Sequence, residues 1–198
     1  DVYKRQPLFR PASMCSVSNI PERRKTPPLR GSLVKWEYTN TVSKITLSMC
    51  LADAGIVRVT YFPGAVPEDE PSYAVSPGYS APGAEIREYD EDGVHVVETS
   101  LLRIRIRTEE QKVDFYDVAT DEPLLTDEGG FGRESKDWTG DARVWIRKNL
   151  QETEHFFGLG DKPCALNLRG KYFSMWGADH YDFHEESDPL YKSIPFFL

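Results

Sequence analysis

The side chains with the most chemical potential crowd into one stretch towards the C-terminal end. Asp179, Asp182, Glu185, Glu186 and Asp188 follow one another closely, interleaved with His180 and His184. A glycosidase uses two carboxyl groups held about 5–5.5 Å apart for retention, or about 6.5–9.5 Å apart for inversion. Crowding in sequence does not supply that geometry, because one loop rarely presents two carboxylates to opposite faces of a sugar. No catalytic residue is therefore assigned. Sugar binding asks for less: a carboxylate accepts hydrogen bonds from two hydroxyls, and a flat ring covers the sugar's C–H face. Asp179 with Trp176 and Tyr181 has that composition. The alternative for Asp179 is that it only shapes the loop.

Other chemistries find little support. His180 and His184 stand at i, i+4, which on a helix could hold a metal, but no helix is predicted there and no third ligand is specified, so no metal site is expected. Gly158-Leu159-Gly160 lacks the third glycine and following helix of a phosphate loop, and is read as a tight turn between strands. No cofactor is expected, and no Ser-His-Asp or Cys-His nucleophile stands out. The stripe Arg103, Arg105, Arg107 could bind an anion, but it also fits a solvated strand face with acidic cross-strand partners, which is the preferred reading in an acidic chain.

The positioning elements are strands. Ile45, Leu47 and Met49 alternate with Lys44, Thr46 and Ser48. Val57, Val59 and Tyr61 alternate with Arg58 and Thr60, and Leu102, Ile104 and Ile106 with the arginine stripe. Val113 and Phe115 flank Asp114, and Val144 and Ile146 alternate with Arg143, Trp145 and Arg147. A period of two places one face inward and one outward in half-buried antiparallel strands. Asp53-Ala54-Gly55, Asp92-Gly93 and Glu128-Gly129-Gly130 are turn signals. No sustained helical face occurs, so the fold is expected to be all-β, an antiparallel β-sandwich.

Lysine and arginine total 24 against 32 aspartates and glutamates, a net charge of −8. That disfavours nucleic acid, whose binding needs a basic face, and a polybasic membrane anchor. No apolar run of about 18 residues, the length of a transmembrane helix, is present. Cys15, Cys50 and Cys164 are odd in number and widely spaced, and are read as free thiols. Cellular location is left open.

The segmentation expected is uneven. Asp1-Val2-Tyr3-Lys4-Arg5-Gln6 can be written in codons that read as a transposon-type sequencing adaptor, so residues 1–6 are set aside as an artefact. Residues 7–30, with five prolines, read as an extended lead-in. Residues 63–84, rich in Pro and Gly, read as a long surface connection. Residues 31–198 are taken as one β-sandwich domain. The apolar Ile194-Pro195-Phe196-Phe197-Leu198 reads as a strand cut in the middle.

Four ordered blocks then carry a resemblance. Phe156-Phe157-Gly158-Leu159-Gly160-Asp161-Lys162 resembles the F-Y-G-L-G-E-K of glycoside hydrolase family 31, and Leu166-Asn167-Leu168-Arg169-Gly170 its L-N-R-R-G. Met175-Trp176-Gly177-Ala178-Asp179 is similar to M-W-N-x-D, and Asp188-Pro189-Leu190-Tyr191-Lys192-Ser193-Ile194-Pro195-Phe196 to D-P-L-Y-x-S-I-P-F. The resemblance implies the N-terminal galactose-mutarotase-like sandwich (supersandwich) of a retaining α-glucosidase-type enzyme, truncated before a (β/α)8 catalytic barrel. It further implies that the nucleophile and acid/base are barrel aspartates outside residues 1–198. The chain alone is thus expected to be inactive, and its partners to be that barrel and an α-linked oligosaccharide. Asp179 and Trp176 become the expected substrate-binding residues, on a loop leaning over the barrel mouth. Two positions depart from the pattern: Gly177 replaces the usual Asn and loosens the backbone, and Asp161 replaces Glu with a shorter reach. The alternatives are a stand-alone carbohydrate-binding or interaction sandwich and, among enzymes, an α-xylosidase or α-glucosyltransferase.

Overall fold

A computed structural model describes residues 22–26, 34–40, 44–63, 85–134 and 143–198. The adaptor-like hexapeptide, Cys15 and all but Pro63 of the segment 63–84 lie outside the described residues. The chain divides into two compact units, one running to Lys148 and the other Asn149–Leu198. Among the described residues every regular element is a strand.

The first unit holds two sheets. One has the order β1-β2-β3-β4, from Glu22–Thr26, Val34–Thr39, Ile45–Asp53 and Ile56–Pro63. The other is a meander β5 to β9, from Arg87–Glu91, Val94–Glu98, Leu102–Arg107, Lys112–Asp117 and Pro123–Leu125. All neighbours are antiparallel. β1 falls within the proline-rich lead-in and occupies a sheet edge, where such a sequence is tolerated. Asp92 and Gly93 both adopt positive φ, 52° and 77°, as the tight turn between β5 and β6 requires.

The two sheets close on one apolar core. Trp36, Tyr38, Leu47, Met49 and Leu51 come from β2 and β3, and Val97, Ile104, Ile106 and Val113 from β6, β7 and β8. Hydrogen bonds stitch the layers: Trp36 Nε1 donates to Glu88 Oε2 at 3.2 Å, Gln111 Nε2 to the Ile45 carbonyl at 3.1 Å, and Thr99 Oγ1 to the Ala54 carbonyl at 2.6 Å. The expected all-β antiparallel sandwich is thus what forms.

The alternation holds unevenly. Thr46 and Ser48, read as outward-facing, are 3% and 5% exposed, so β3 is buried on both faces. Their short hydroxyls permit it, since Thr46 bonds its cross-strand partner Thr39 at 3.0 Å through the two Oγ1 atoms. Val144 and Ile146, read as inward-facing, are about half exposed. They lie on β11, Val144–Lys148, which among the described residues pairs only with β10, Asp127–Arg133, in a two-stranded sheet. Glu128-Gly129-Gly130, read as a turn, lies inside β10 as a bulge between Asp127 and Phe131. Gly130 has φ 63°, and a Cβ there would sit 2.3 Å from the Glu110 carbonyl oxygen.

The arginine stripe is spoken for. Arg103 Nε meets its cross-strand neighbour Glu98 at 2.6 Å, Arg105 reaches Glu91 at 3.7 Å, and Arg107 reaches Asp114 at 2.5 Å. The Arg103 hydrogen bond holds the Glu98 carboxyl below the ordinary glutamate range against the opposing effect of burial. These partners leave no open anion site on the stripe.

A buried polar joint ties β10 to β8. The Asp127 N–H donates to Asp114 Oδ1 and the Val113 N–H to Asp127 Oδ2, each at 2.8 Å, while Lys148 neutralises Asp127. Tyr61 stacks on Phe131 with ring centroids 4.8 Å apart and donates to the Gln111 carbonyl. Burial, reinforced by Asp127 and Asp114, pushes the Tyr61 phenol well above its ordinary range and keeps it a neutral donor. Asp127→Ala leaves the partly buried Lys148 ammonium and the buried Val113 N–H without this partner, and is expected to cost about 1–3 kcal/mol in urea unfolding. Asp127→Asn keeps an acceptor for Val113 and should cost less.

Candidate functional site

The second unit is assembled from the family-like blocks. Gly158–Gly160 forms strand β12 and pairs antiparallel with β13, Ser193–Phe197, so the segment read as a tight turn is a short strand. Its glycines are demanded by close backbone approach. A Cβ on Gly160 would stand 2.1 Å from the Lys192 carbonyl oxygen, and one on Gly158 would stand 2.6 Å from that of Phe196. Both have positive φ, 86° and 118°. The pairing continues outward, with Phe157 and Leu198 exchanging backbone hydrogen bonds of 3.0 and 2.9 Å.

The second block is a clasp. Asn167 Oδ1 accepts the N–H groups of Phe156 and Arg169, and the Arg169 guanidinium donates to the carbonyls of Gln151 and Glu154 at 2.8 and 2.7 Å. Leu168, buried, donates its N–H to the Phe156 carbonyl at 2.8 Å. These residues order the chain leading into β12.

A buried ion pair joins the first block to the last. Lys162, its side chain 2% exposed, places Nζ 2.7 Å from Asp188 Oδ1 and 3.1 Å from the Ser174 carbonyl oxygen, over the ring of Phe173. The other Asp188 oxygen accepts the Ser174 N–H. Burial pushes the Asp188 carboxyl up, but Lys162 and the Ser174 N–H together outweigh it and hold the group below the usual aspartate range. The sequence reading grouped Asp188 with the carboxylate cluster and missed this partner, 26 positions away. The usable signal was the pairing of a lysine closing one block with an aspartate opening another.

Between these anchors runs the loop that carries the expected binding residues. The Ala178 N–H reaches the Leu190 carbonyl at 3.4 Å, and the Tyr191 hydroxyl donates to the His180 carbonyl. At the other foot the Glu186 N–H donates to the Pro163 carbonyl at 2.8 Å. His184 and Ser187 bond each other through the Ser187 hydroxyl, which engages both the His184 N–H and its Nδ1. Asp179, His180, Tyr181, Asp182 and Phe183 are exposed between the feet. Trp176 is 73% exposed. A Cβ on Gly177 would meet the Tyr191 carbonyl oxygen at 3.3 Å, so this glycine lies close against the Tyr191 backbone.

Asp179 and Trp176 thus lie on one exposed loop, while Asp188 is withdrawn into the ion pair. Among the described residues no cluster of three or more His, Cys, Asp or Glu could hold a metal ion. Phe157, Ile194, Phe196, Phe197 and Leu198, on and beside β12 and β13, each leave apolar surface exposed.

Fold and blocks together define an antiparallel sandwich followed by a glycine-paired, loop-bearing segment. The sequence model of the glycosyl hydrolase 31 N-terminal galactose mutarotase-like domain matches residues 46–198. The chain belongs to that family. It is 38% identical over 68 residues to alpha-glucosidase 2 of Bacillus thermoamyloliquefaciens, covering 34% of this chain and 9% of that protein. It is also 38% identical over 56 residues to an alpha-glucosidase of Saccharolobus solfataricus, covering 28% of this chain and 8% of that protein. A GH31 dextranase of Flavobacterium johnsoniae complexed with isomaltotriose superposes with TM-score 0.71 at 24% identity, over 91% of this chain and 21% of that one. A GH31 alpha-xylosidase of Xanthomonas citri superposes with TM-score 0.56 at 20% identity, over 71% of this chain and 15% of that one. The structural matches establish the fold. The chain spans less than a tenth of the length of the two curated relatives.

Proposed function

We propose that this chain is the N-terminal part of a retaining α-glycosidase acting on α-linked glucosides, and that it lends a substrate-binding loop to a catalytic barrel following it in the same polypeptide. The observation that carries the reading is the loop fixed at both feet, with Trp176 and Asp179 exposed on it, in a chain of this family. In this role Asp179 accepts hydrogen bonds from sugar hydroxyls and Trp176 covers the C–H face. Both catalytic aspartates belong to the barrel: one forms the covalent glycosyl intermediate, and the other serves as acid and then base.

The exposed apolar side chains on and beside β12 and β13 support a covering partner. Phe196 and Phe197 are 60% and 57% exposed, and burying the remainder of each gains about 1–2 kcal/mol. Two proteins test the proposal: residues 1–198, and the longer polypeptide with the chain that follows. The longer one should hydrolyse maltose or isomaltose with retention at the anomeric carbon, read by NMR of the first-formed sugar. The shorter one should turn over neither substrate, and hydrolysis by it would overturn the proposal.

A further inference from the structure

The β10–β11 sheet carries a second aromatic surface, unconnected with the Asp179 loop in sequence. Trp145 faces Gly132 across the ladder. A Cβ on Gly132 would lie 2.1, 2.2 and 2.6 Å from Trp145 Cε2, Nε1 and Cζ2. A point that close to three adjacent ring atoms lies above the ring plane. The indole therefore lies face-on over the glycine, which has no side chain to lift it. The residue is still 42% exposed, which leaves the opposite ring face to solvent.

Strand alternation puts Arg143 and Arg147 on the same side as Trp145, and Glu134 on the same side as Gly132. The Glu134 N–H bonds the Arg143 carbonyl at 2.9 Å, so these two residues flank the indole at one end. At the other end Arg147 lies over Gly129 and meets Glu128 at 3.6 Å. All four charged residues are exposed. The ring is thus framed by two cations and two anions, balanced in charge and rich in donors and acceptors. A net-charged ligand would be repelled by half of that frame. A neutral polyol, with an apolar C–H face and a rim of hydroxyls, matches both the ring and its surround.

We propose that Trp145, with Arg143, Glu134, Arg147 and Glu128 around it, is a binding platform for a glucosyl unit of an α-glucan chain. The choice of α-linked glucose rests on the function proposed above, whereas the choice of a neutral sugar rests on the platform alone. Calorimetry on residues 1–198 tests it with maltohexaose, isomaltohexaose and the β-linked laminarihexaose. One of the α-glucans should bind, about tenfold more weakly after Trp145→Ala and within about threefold of the parent after Trp145→Phe. Arg143→Ala should weaken binding by about threefold without changing the melting temperature, and Asp179→Ala should leave the Trp145-dependent binding in place. Should Trp145→Ala fail to fold, the phenylalanine and arginine variants decide, and full affinity in Arg143→Ala overturns the platform. Absence of binding, or binding lost in Asp179→Ala but retained in Trp145→Ala, also overturns it. Trp145-dependent binding of laminarihexaose alone overturns the α-glucan assignment.

Discussion

Asp188→Ala should lower the stability of the second unit by about 3–5 kcal/mol, because it strands the Lys162 ammonium in a site where its side chain is 2% exposed. In a thermal melt of a chain this size, that is a fall of roughly 6–20 °C. The Ser174 N–H loses its acceptor in the same step. Pairing the change with Lys162→Met removes the uncompensated charge, and the double variant should recover part of the loss. The recovery is the interaction energy of a double-mutant cycle. The pH dependence has a definite sign. The Asp188 carboxyl is held low in the folded state, so its contribution is fully present above the unfolded value of about 3.9 and is lost as pH falls through the folded value. The parent should therefore lose melting temperature on acidification below about pH 4, more steeply than Asp188→Ala does. Equal melting temperatures at pH 7 would remove this pair from any account of what holds the blocks together.

Asp179→Ala, made in the longer polypeptide, should reduce kcat/KM for an α-linked disaccharide by about 10- to 150-fold, the loss expected when hydrogen bonds to a charged acceptor disappear. Asp179 is exposed, and exposed substitutions usually stay within about 0.5 kcal/mol, so the melting temperature should hardly move. That contrast separates a binding carboxylate from one that only shapes the loop. Trp176→Ala should act in the same direction through KM, because stacking on a C–H face is shared by bound substrate and transition state. Unchanged kinetics in Asp179→Ala, with the fold intact, would take the residue out of the substrate pocket.

The sandwich was legible wherever side-chain alternation coincided with cover on one face only. Ile104 and Ile106 are buried while the arginines alternating with them reach carboxylates, as a period of two implies. The reading failed where the sheet context differed from the local pattern. β3 is central and covered on both sides, so its Thr and Ser are buried. β11 has one neighbour among the described strands, and its Val and Ile stay half exposed. The glycines of β10 and β12 misled for a related reason. Glycine marks a place where backbone must pass close to backbone, and a turn is only one way to require that.

By itself the sequence determined the class of fold, through its strand period, and the family, through blocks whose order and residue types are specific. It also marked Asp179 and Trp176 as a carboxylate beside a ring. Tertiary structure alone decided what each charge does. Asp179 and Asp188 read alike in sequence, as acids of one cluster, yet one stands in solvent on a loop and the other is locked to a lysine 26 positions away. A side chain's type fixes which interactions it can make, whereas its partners are set by which distant segments the backbone brings within about 3 Å.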